Sequence, residues 1–417
     1  MNNWRETTLG KVANVFTGYP FKSELYSTGD QDVRLLRGDN ISQGAMDWSD
    51  ARKWPAEQLN DFEEYQLKED DIVLAMDRPW IGAGLKFSQI IKSDLPALLV
   101  QRTARLRGSN DLDIGYLKYV IGSPWFTSYI KRITTGSLVP HISLKQIRDF
   151  PVKLPPIEEQ KAAAAVLLAI DKKIELNNRI NAELEAMAKT LYDYWFVQFD
   201  FPEDSPQGQG KPYKTSGGKM VYNPTLKREI PEGWSDKTLS QIANITMGQS
   251  PEGSSYNDEG VGTIFYQGST DFGWLFPTTR QYTTAPSRMA KKGDILLSVR
   301  APVGDMNIAN TDCCIGRGLS ALNSKTASDG FLFYVMKYFK QIFDRRNSEG
   351  TTFGSITKND LHSLTLAYPT SDLLKKYDEI VTNYNKMIFE RSLENRELIA
   401  LRDWLLPMLM NGQVTVK

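Results

Sequence analysis

From residue 158 to residue 195 the chain contains no glycine and no proline, and one set of positions recurs at alternating steps of three and four: Leu167, Ile170, Ile174, Asn177, Asn181, Leu184, Ala188, Leu191 and Trp195. That rhythm is a heptad seam along one face of a helix, with two asparagines set into it. Pro156 suits the first helical turn, where its missing N–H costs nothing, and Glu158 and Glu159 suit the positive end of the helix. A helix over 157–196 would be about 60 Å long at 1.5 Å per residue. A second stripe runs through Val381, Tyr384, Ile388, Arg391, Asn395, Leu398, Arg402, Leu405 and Leu409. Ser371, after Pro369, is its expected cap. Pro407 is expected to kink or end it, with Gly412 just past its end. A single apolar stripe must be buried against something, and each helix is the obvious partner of the other. Asn181 and Asn395 occupy equivalent seam positions and are expected to fix register at some cost in stability.

The two stripes belong to a long internal repeat. WRETTLGKVANVFTG at 4–18 matches WSDKTLSQIANITMG at 234–248, and DDIVLAMDRPWIG at 70–82 matches GDILLSVRAPVG at 293–304. VQRTARL at 100–106 matches IGRGLSAL at 315–322, GYLKYV at 115–120 matches GFLFYV at 330–335, and NAELEAMAKTL at 181–191 matches NRELIALRDWL at 395–405. Aligned in this way, Arg78 falls beside Arg300 and Arg102 beside Arg317. Each half opens with short apolar runs bounded by turn residues, which read as strands. GYLKYVIGSPWFTSYIKRI and FLFYVMKYFKQIFDRR read as helices. The fold class is therefore α+β: two similar globular domains separated by two long antiparallel helices, related by a pseudo-twofold axis. The boundaries are 1–154 for the first domain and 155–200 for the first long helix. A Pro-, Gly-, Ser- and Lys-rich linker or strap covers 201–230. The second domain is 231–369 and the second long helix 370–417.

Composition removes several function classes. Lys plus Arg and Asp plus Glu are 50 each, so the net charge is zero, but residues 101–150 hold eight basic against three acidic side chains and 278–358 hold twelve against six. No apolar run approaches the ~20 residues that span a bilayer. The N-terminus lacks the apolar stretch of a signal peptide. Two adjacent cysteines, Cys313 and Cys314, make no disulfide framework. A soluble, cytoplasmic protein with no membrane partner is expected. Two histidines argue against a His-rich metal site. No phosphate loop, zinc-protease helix, nucleophile elbow or amino-methyltransferase tetrapeptide is present. No catalytic residue and no metal ligand is assigned. Asp70, Asp71 and Asp294 read as strand-entry turns.

The matched places instead carry residues such as Arg, Lys, Ser, Thr and Asn, the side chains that meet phosphates and base edges. The candidate DNA-contacting residues are Arg78, Arg102, Ser137, His141 and Lys145 in the first domain. In the second they are Arg300, Arg317, Thr351, Ser355 and Lys358. The competing reading is that the repeated arginines hold the fold through buried ion pairs. The candidate spacer-packing residues are Leu167, Ile170, Ile174, Asn181, Leu184 and Leu191 on one helix. On the other they are Val381, Tyr384, Ile388, Asn395, Leu398 and Leu405.

LPPIEEQ at 154–160, DKKIELNN at 171–178, YWFVQFDFP at 194–202, GDILLSVRAPVG and NRELIALRDWLLPMLMNG at 395–412 together resemble the specificity subunit of type I restriction–modification enzymes, over essentially the whole chain. The second copy's YPTSDLLKKY departs from the P-P-x-x-E-Q opening. The resemblance implies that each globular segment is a target recognition domain reading one half of a bipartite, asymmetric double-stranded DNA sequence. It implies that the helices set the gap between half-sites and dock two modification subunits. Those partners would bind S-adenosylmethionine and methylate adenine at N6, flipping the base into their own pocket, and motor–nuclease restriction subunits would cut unmarked DNA. This chain would bind no cofactor and catalyse nothing. Two alternatives remain open at this stage: a methylation-only complex, and a duplicated helical scaffold that binds only protein.

Overall fold

The computed structural model describes residues 4–81, 84–134, 140–203, 210–300, 302–348 and 355–416. The chain forms two compact units, Met1–Ile174 with Glu397–Lys417, and Glu175–Arg396.

In the first unit a four-stranded antiparallel sheet runs Asn14–Thr17, Thr103–Arg107, Ile72–Ala75, Phe87–Gln89. A second sheet pairs Val33–Leu36 antiparallel with Arg52–Trp54 and parallel with Ala97–Leu99. A ribbon of Arg5–Thr8 and Pro151–Leu154 closes the domain. The segment read as one helix over 115–133 is two, Ile114–Ile121 and Pro124–Ile133. The break follows from Gly122-Ser123-Pro124: the Ser123 hydroxyl accepts the Phe126 N–H at 3.2 Å and caps a new helix whose first residue, Pro124, has no N–H to satisfy.

The central long helix, Ile157–Tyr192, starts after Pro156 as its sequence implies and ends in a π-helical turn, Asp193–Val197. Gln160 of the LPPIEEQ motif is 1% exposed. Its amide donates to the carbonyls of Asp111 and Pro155, both at 2.9 Å, and its oxygen accepts the Asp113 N–H at 3.0 Å. One buried side chain thus bolts the helix start to the loop before Ile114. Ala163, Ala164 and Leu167 then enter the domain core beside Leu74, Leu106, Tyr116 and Phe126, together with Leu409 and Met410 of the distal helix. Asp171 accepts from the Tyr119 hydroxyl at 2.8 Å and from Arg402 at 3.3 Å, so the two long helices are also tied by charge in this unit.

The second unit repeats the plan. Its four-stranded sheet runs Ala243–Met247, Leu319–Ser324, Ile295–Ser298, Met306–Ile308, and its ribbon pairs Ser235–Thr238 with Thr365–Tyr368. The second sheet is larger, with Thr263–Tyr266 parallel to Cys313–Ile315. Cys313 and Cys314 are fully buried in it, and burial pushes the Cys313 thiol up to about 12. A single helix, Asp329–Ser348, packs on the domain. The segment read as a linker contains a two-stranded ribbon, Met220–Asn223 with Arg228–Pro231, whose Ile230 joins the same core as Trp234.

The distal helix, Ser371–Met410, runs through Pro407 rather than ending there. Gly412 follows it with φ +76°. Within the second unit the two long helices are antiparallel: Tyr377 donates its hydroxyl to the Ala188 carbonyl at 3.1 Å, and Asn177 meets Asn395. Leu184 and Ala188 on one helix and Val381 and Ile388 on the other are buried in a common core, while Ile174, Leu191, Tyr384, Leu398 and Leu405 are half-buried. In the first unit Leu167 and Ile170 are buried.

The amides pair differently from the expectation that Asn181 and Asn395 act alike. Asn177 donates to Asn395 Oδ1 at 2.9 Å and to Glu394 at 2.8 Å, and Asn395 donates to Asn178 at 2.8 Å. The repeat puts Arg391 where the first copy has Asn177, and its guanidinium turns to the Met387 carbonyl. Asn181 Oδ1 is left buried without a hydrogen-bond partner among the described residues.

Two outcomes follow. Asn395→Ala removes one of the two acceptors of the buried Asn177 amide and the donor to Asn178, and is expected to lower stability by about 1–3 kcal/mol in denaturant titration; an unchanged midpoint would remove the amide cluster from the determinants of helix pairing. Asp378, on the distal helix, accepts the Phe331 N–H at 3.0 Å near the start of Asp329–Ser348. Burial pushes its carboxyl up from 3.8 to about 6, and nearby Asp329 adds to the effect. A folded-state value above that of the unfolded chain favours folding by proton uptake, fully below about pH 4 and no longer once pH has risen through about 6. Wild type should therefore lose stability relative to Asp378→Asn across that window, and a constant difference between the two would contradict the assignment.

Candidate nucleic-acid interface

In each domain the end of one core strand meets two loops through the same two backbone hydrogen bonds and the same antiparallel bridge. In the first, the Met76 N–H donates to the Arg102 carbonyl at 2.9 Å, the Ile142 N–H donates to the Met76 carbonyl at 2.9 Å, and Asp77 bridges His141. In the second, Val299 donates to the Gly318 carbonyl at 2.9 Å, Ile356 donates to the Val299 carbonyl at 2.9 Å, and Arg300 bridges Ser355. A glycine packs against each edge. Gly18 and Gly248 donate to the carbonyls of Thr103 and Leu319, and a Cβ on either would sit 2.3 Å or 2.1 Å from backbone atoms. That close approach is why both copies keep glycine there.

These bonds fix the structural register of the repeat and correct the sequence pairing by one residue at two places. Arg300 occupies the position of Asp77, not of Arg78. Arg317 occupies the position of Gln101, and Gly318 that of Arg102. Sequence matching had aligned arginine with arginine because D-R-P and V-R-A-P look alike, whereas strand pairing sets Ala75 against Thr103 and Ser298 against Leu319. His141 and Ser355 do occupy equivalent places.

All the described candidates, Arg78, Arg102, His141, Lys145, Arg300, Arg317, Ser355 and Lys358, are exposed. Ser137 and Thr351 lie outside the described residues. Arg78 follows the strand end, its N–H held by the Pro140 carbonyl at 2.7 Å. Arg78 and Arg102 have φ of +46° and +65°. Left-handed backbone at a non-glycine residue costs on the order of 1 kcal/mol. Lys145 and Lys358 sit in short helices whose starts carry matching capping boxes, Ser143 with Gln146 and Thr357 with Asp360.

The buried-ion-pair reading belongs to another arginine. Arg107 pairs with the buried Asp71 at 2.5 Å, while Arg105, 3% exposed, donates instead to the Glu64 carbonyl at 3.0 Å. Asp71 and Asp294 also accept the N–H groups of Lys68 and Lys291, both at 2.8 Å, as strand-entry turns.

Sequence reading passed over several polar groups at these edges. Asp77 receives Arg102 Nη1 at 3.1 Å and His141 Nδ1 at 2.5 Å. In the second domain, Ser250 Oγ accepts the Arg317 N–H at 3.3 Å and Gln267 Nε2 at 3.0 Å. Gln101 and Gln249 are exposed beside them. The available signal was adjacency: Gln249 and Ser250 directly follow the repeated Gly248, and Gln101 flanks Arg102. Among the described residues no group of three or more His, Cys, Asp or Glu could hold a metal ion, and no helix is long and apolar enough to cross a membrane.

A putative type I restriction enzyme MjaX specificity subunit from Methanocaldococcus jannaschii is 32% identical over 300 residues, covering 70% of this chain and 65% of that protein. The type I restriction enzyme EcoAI specificity subunit of Escherichia coli is 35% identical over 188 residues, 45% of this chain and 31% of the relative. The chain thus spans less than two thirds of both. The HindI specificity subunit of Haemophilus influenzae is 22% identical over 478 aligned positions, with 99% of this chain and 100% of that one covered. The fold is shared with the crystal structure of a type I restriction–modification S subunit from M. genitalium, at 15% identity and a TM-score of 0.62, covering 98% of this chain and 96% of that one. The type I restriction modification DNA specificity domain matches twice, over residues 1–186 and 231–395, and the chain belongs to that family.

Proposed function

We propose that this chain is the DNA-specificity subunit of a type I restriction–modification complex, in which each domain reads one half of a bipartite double-stranded DNA target. The observation that carries this reading is the repeated edge with unlike side chains. One backbone arrangement presents Asp77, Gln101, Arg102 and His141 in one domain, and Arg300, Arg317, Gly318 and Ser355 in the other. A reader of two different half-sites needs this combination of a common scaffold and different exposed donors and acceptors. Arg and Lys neutralise phosphates, while Arg, Gln, Ser and His reach base edges in the major groove. Arg78, Lys145, Lys358, Ser137 and Thr351 complete the proposed contact set.

The long helices supply the geometry. Their seam residues would set the gap between the half-sites and offer a surface for two modification subunits. Those partners would bring S-adenosylmethionine and the adenine N6 chemistry, and restriction subunits would join them. This chain would contribute address and spacing, with no cofactor and no catalytic group. Its zero net charge fits a clamp around DNA shared with the partners.

Exchanging residues 1–154 for the corresponding domain of another family member should change one half-site of the methylated sequence and leave the other intact. Arg317→Ala should weaken modification through the second half-site alone. Altered recognition in both halves after either change would contradict independent reading by the two domains.

A further inference from the structure

The Asp77–Arg102–His141 cluster exists in only one of the two domains, and its geometry asks for a purpose beyond stability. The Arg102 side chain is 71% exposed, His141 50% and Asp77 33%. An ion pair this wet contributes little to folding. Arg102 nevertheless holds a left-handed backbone, φ +65°, that glycine would adopt at no steric cost, whereas Gly318 at the equivalent place in the second domain does not use that conformation. The arginine is therefore kept for its side chain.

Asp77 grips that side chain at one end. One N–H of Nη1 points to Asp77 Oδ2, while Oδ1 takes His141 Nδ1. Among the described residues the bond to Asp77 is the one hydrogen bond of the Arg102 side chain, so the other guanidinium donors are open to a ligand. A planar pair of donors held in one orientation matches the O6 and N7 acceptors of guanine in the major groove. A phosphate contact would need no such orientation, because charge alone serves it. In the second domain Arg300 replaces Asp77, and the same place carries a cation that makes no ion pair among the described residues.

We propose that Asp77 is a positioning residue that fixes Arg102 for the readout of a guanine in the half-site of the first domain. The proposal rests on the functional reading above and adds to it one base, one reader and the group that aims it.

The test uses the full chain assembled with its modification subunit, bound to duplexes randomised in each half-site in turn. Wild type should prefer guanine at one position of the first half-site. Asp77→Ala and Arg102→Lys should each reduce that preference by about tenfold, the scale of one lost bidentate contact. Asp77→Ala should leave the salt dependence of binding and the second half-site unchanged, with a melting temperature within about 2 °C of wild type. The second half-site reports on folding within the same molecule. Should Asp77→Ala impair both halves, Arg102→Lys decides, since it keeps the charge and removes the fork. Uniform weakening across all duplexes would mean that Arg102 meets a phosphate, and would overturn the proposal. So would a preference for cytosine lost in Asp77→Ala but kept in Arg102→Lys, which would make Asp77 itself the reader. Wild type without preference in either half would overturn the functional reading as well.

Discussion

A helix of 36 residues with one apolar stripe does not stand alone in water. Everything else here depends on where that stripe is buried. In the first unit, Ala163, Ala164 and Leu167 of the central helix enter the domain core together with the end of the distal helix, and Gln160 and Asp171 add polar bolts. In the second unit, Leu184, Ala188, Tyr192 and Trp195 share a core with Tyr377, Val381 and Ile388. The helices are thus continuous with the domain cores. A domain anchored in this way presents its exposed edge from a fixed base, which reading a sequence in a groove requires.

The two anchors use different chemistry. At the first, Gln160 satisfies three loop groups; at the corresponding place the second copy has the buried Leu374. Ala163 and Ala164 give way to Tyr377 and Asp378, which reach the Ala188 carbonyl and the Phe331 amide. This explains why YPTSDLLKKY lacks the P-P-x-x-E-Q signature while still starting a helix. Apolar packing and a half-buried carboxyl do there what an amide does in the first copy.

The repeat and the two long helices were legible because they rest on periodicity and local chemistry, though Ser371, the expected cap, is the first helical residue and Thr370 takes the cap position. The break at Gly122-Ser123-Pro124 was legible in principle, since a capping serine followed by proline is a helix start, but the apolar pattern runs across it. Three features depended on tertiary pairing that sequence does not carry. Strand register moved Arg300 onto Asp77 and Arg317 onto Gln101. The replacement of Asn177 by Arg391 in the second copy decided which asparagines pair. Asp77 was not singled out in the sequence, and only its meeting with Arg102 and His141, distant along the chain, places it at the edge. The exposed candidates were recognisable by residue type and matched position, and their exposure is a property of the fold.

The central claim is that one chain holds two independent readers, one in each unit. It is tested most directly by expressing the chain with its neighbouring modification subunit and mapping N6-methyladenine across the host genome. The account predicts one asymmetric motif of two unlike half-sites separated by a gap of constant length. A single contiguous motif, a gap of variable length, or no new methylation from a soluble complex would contradict it.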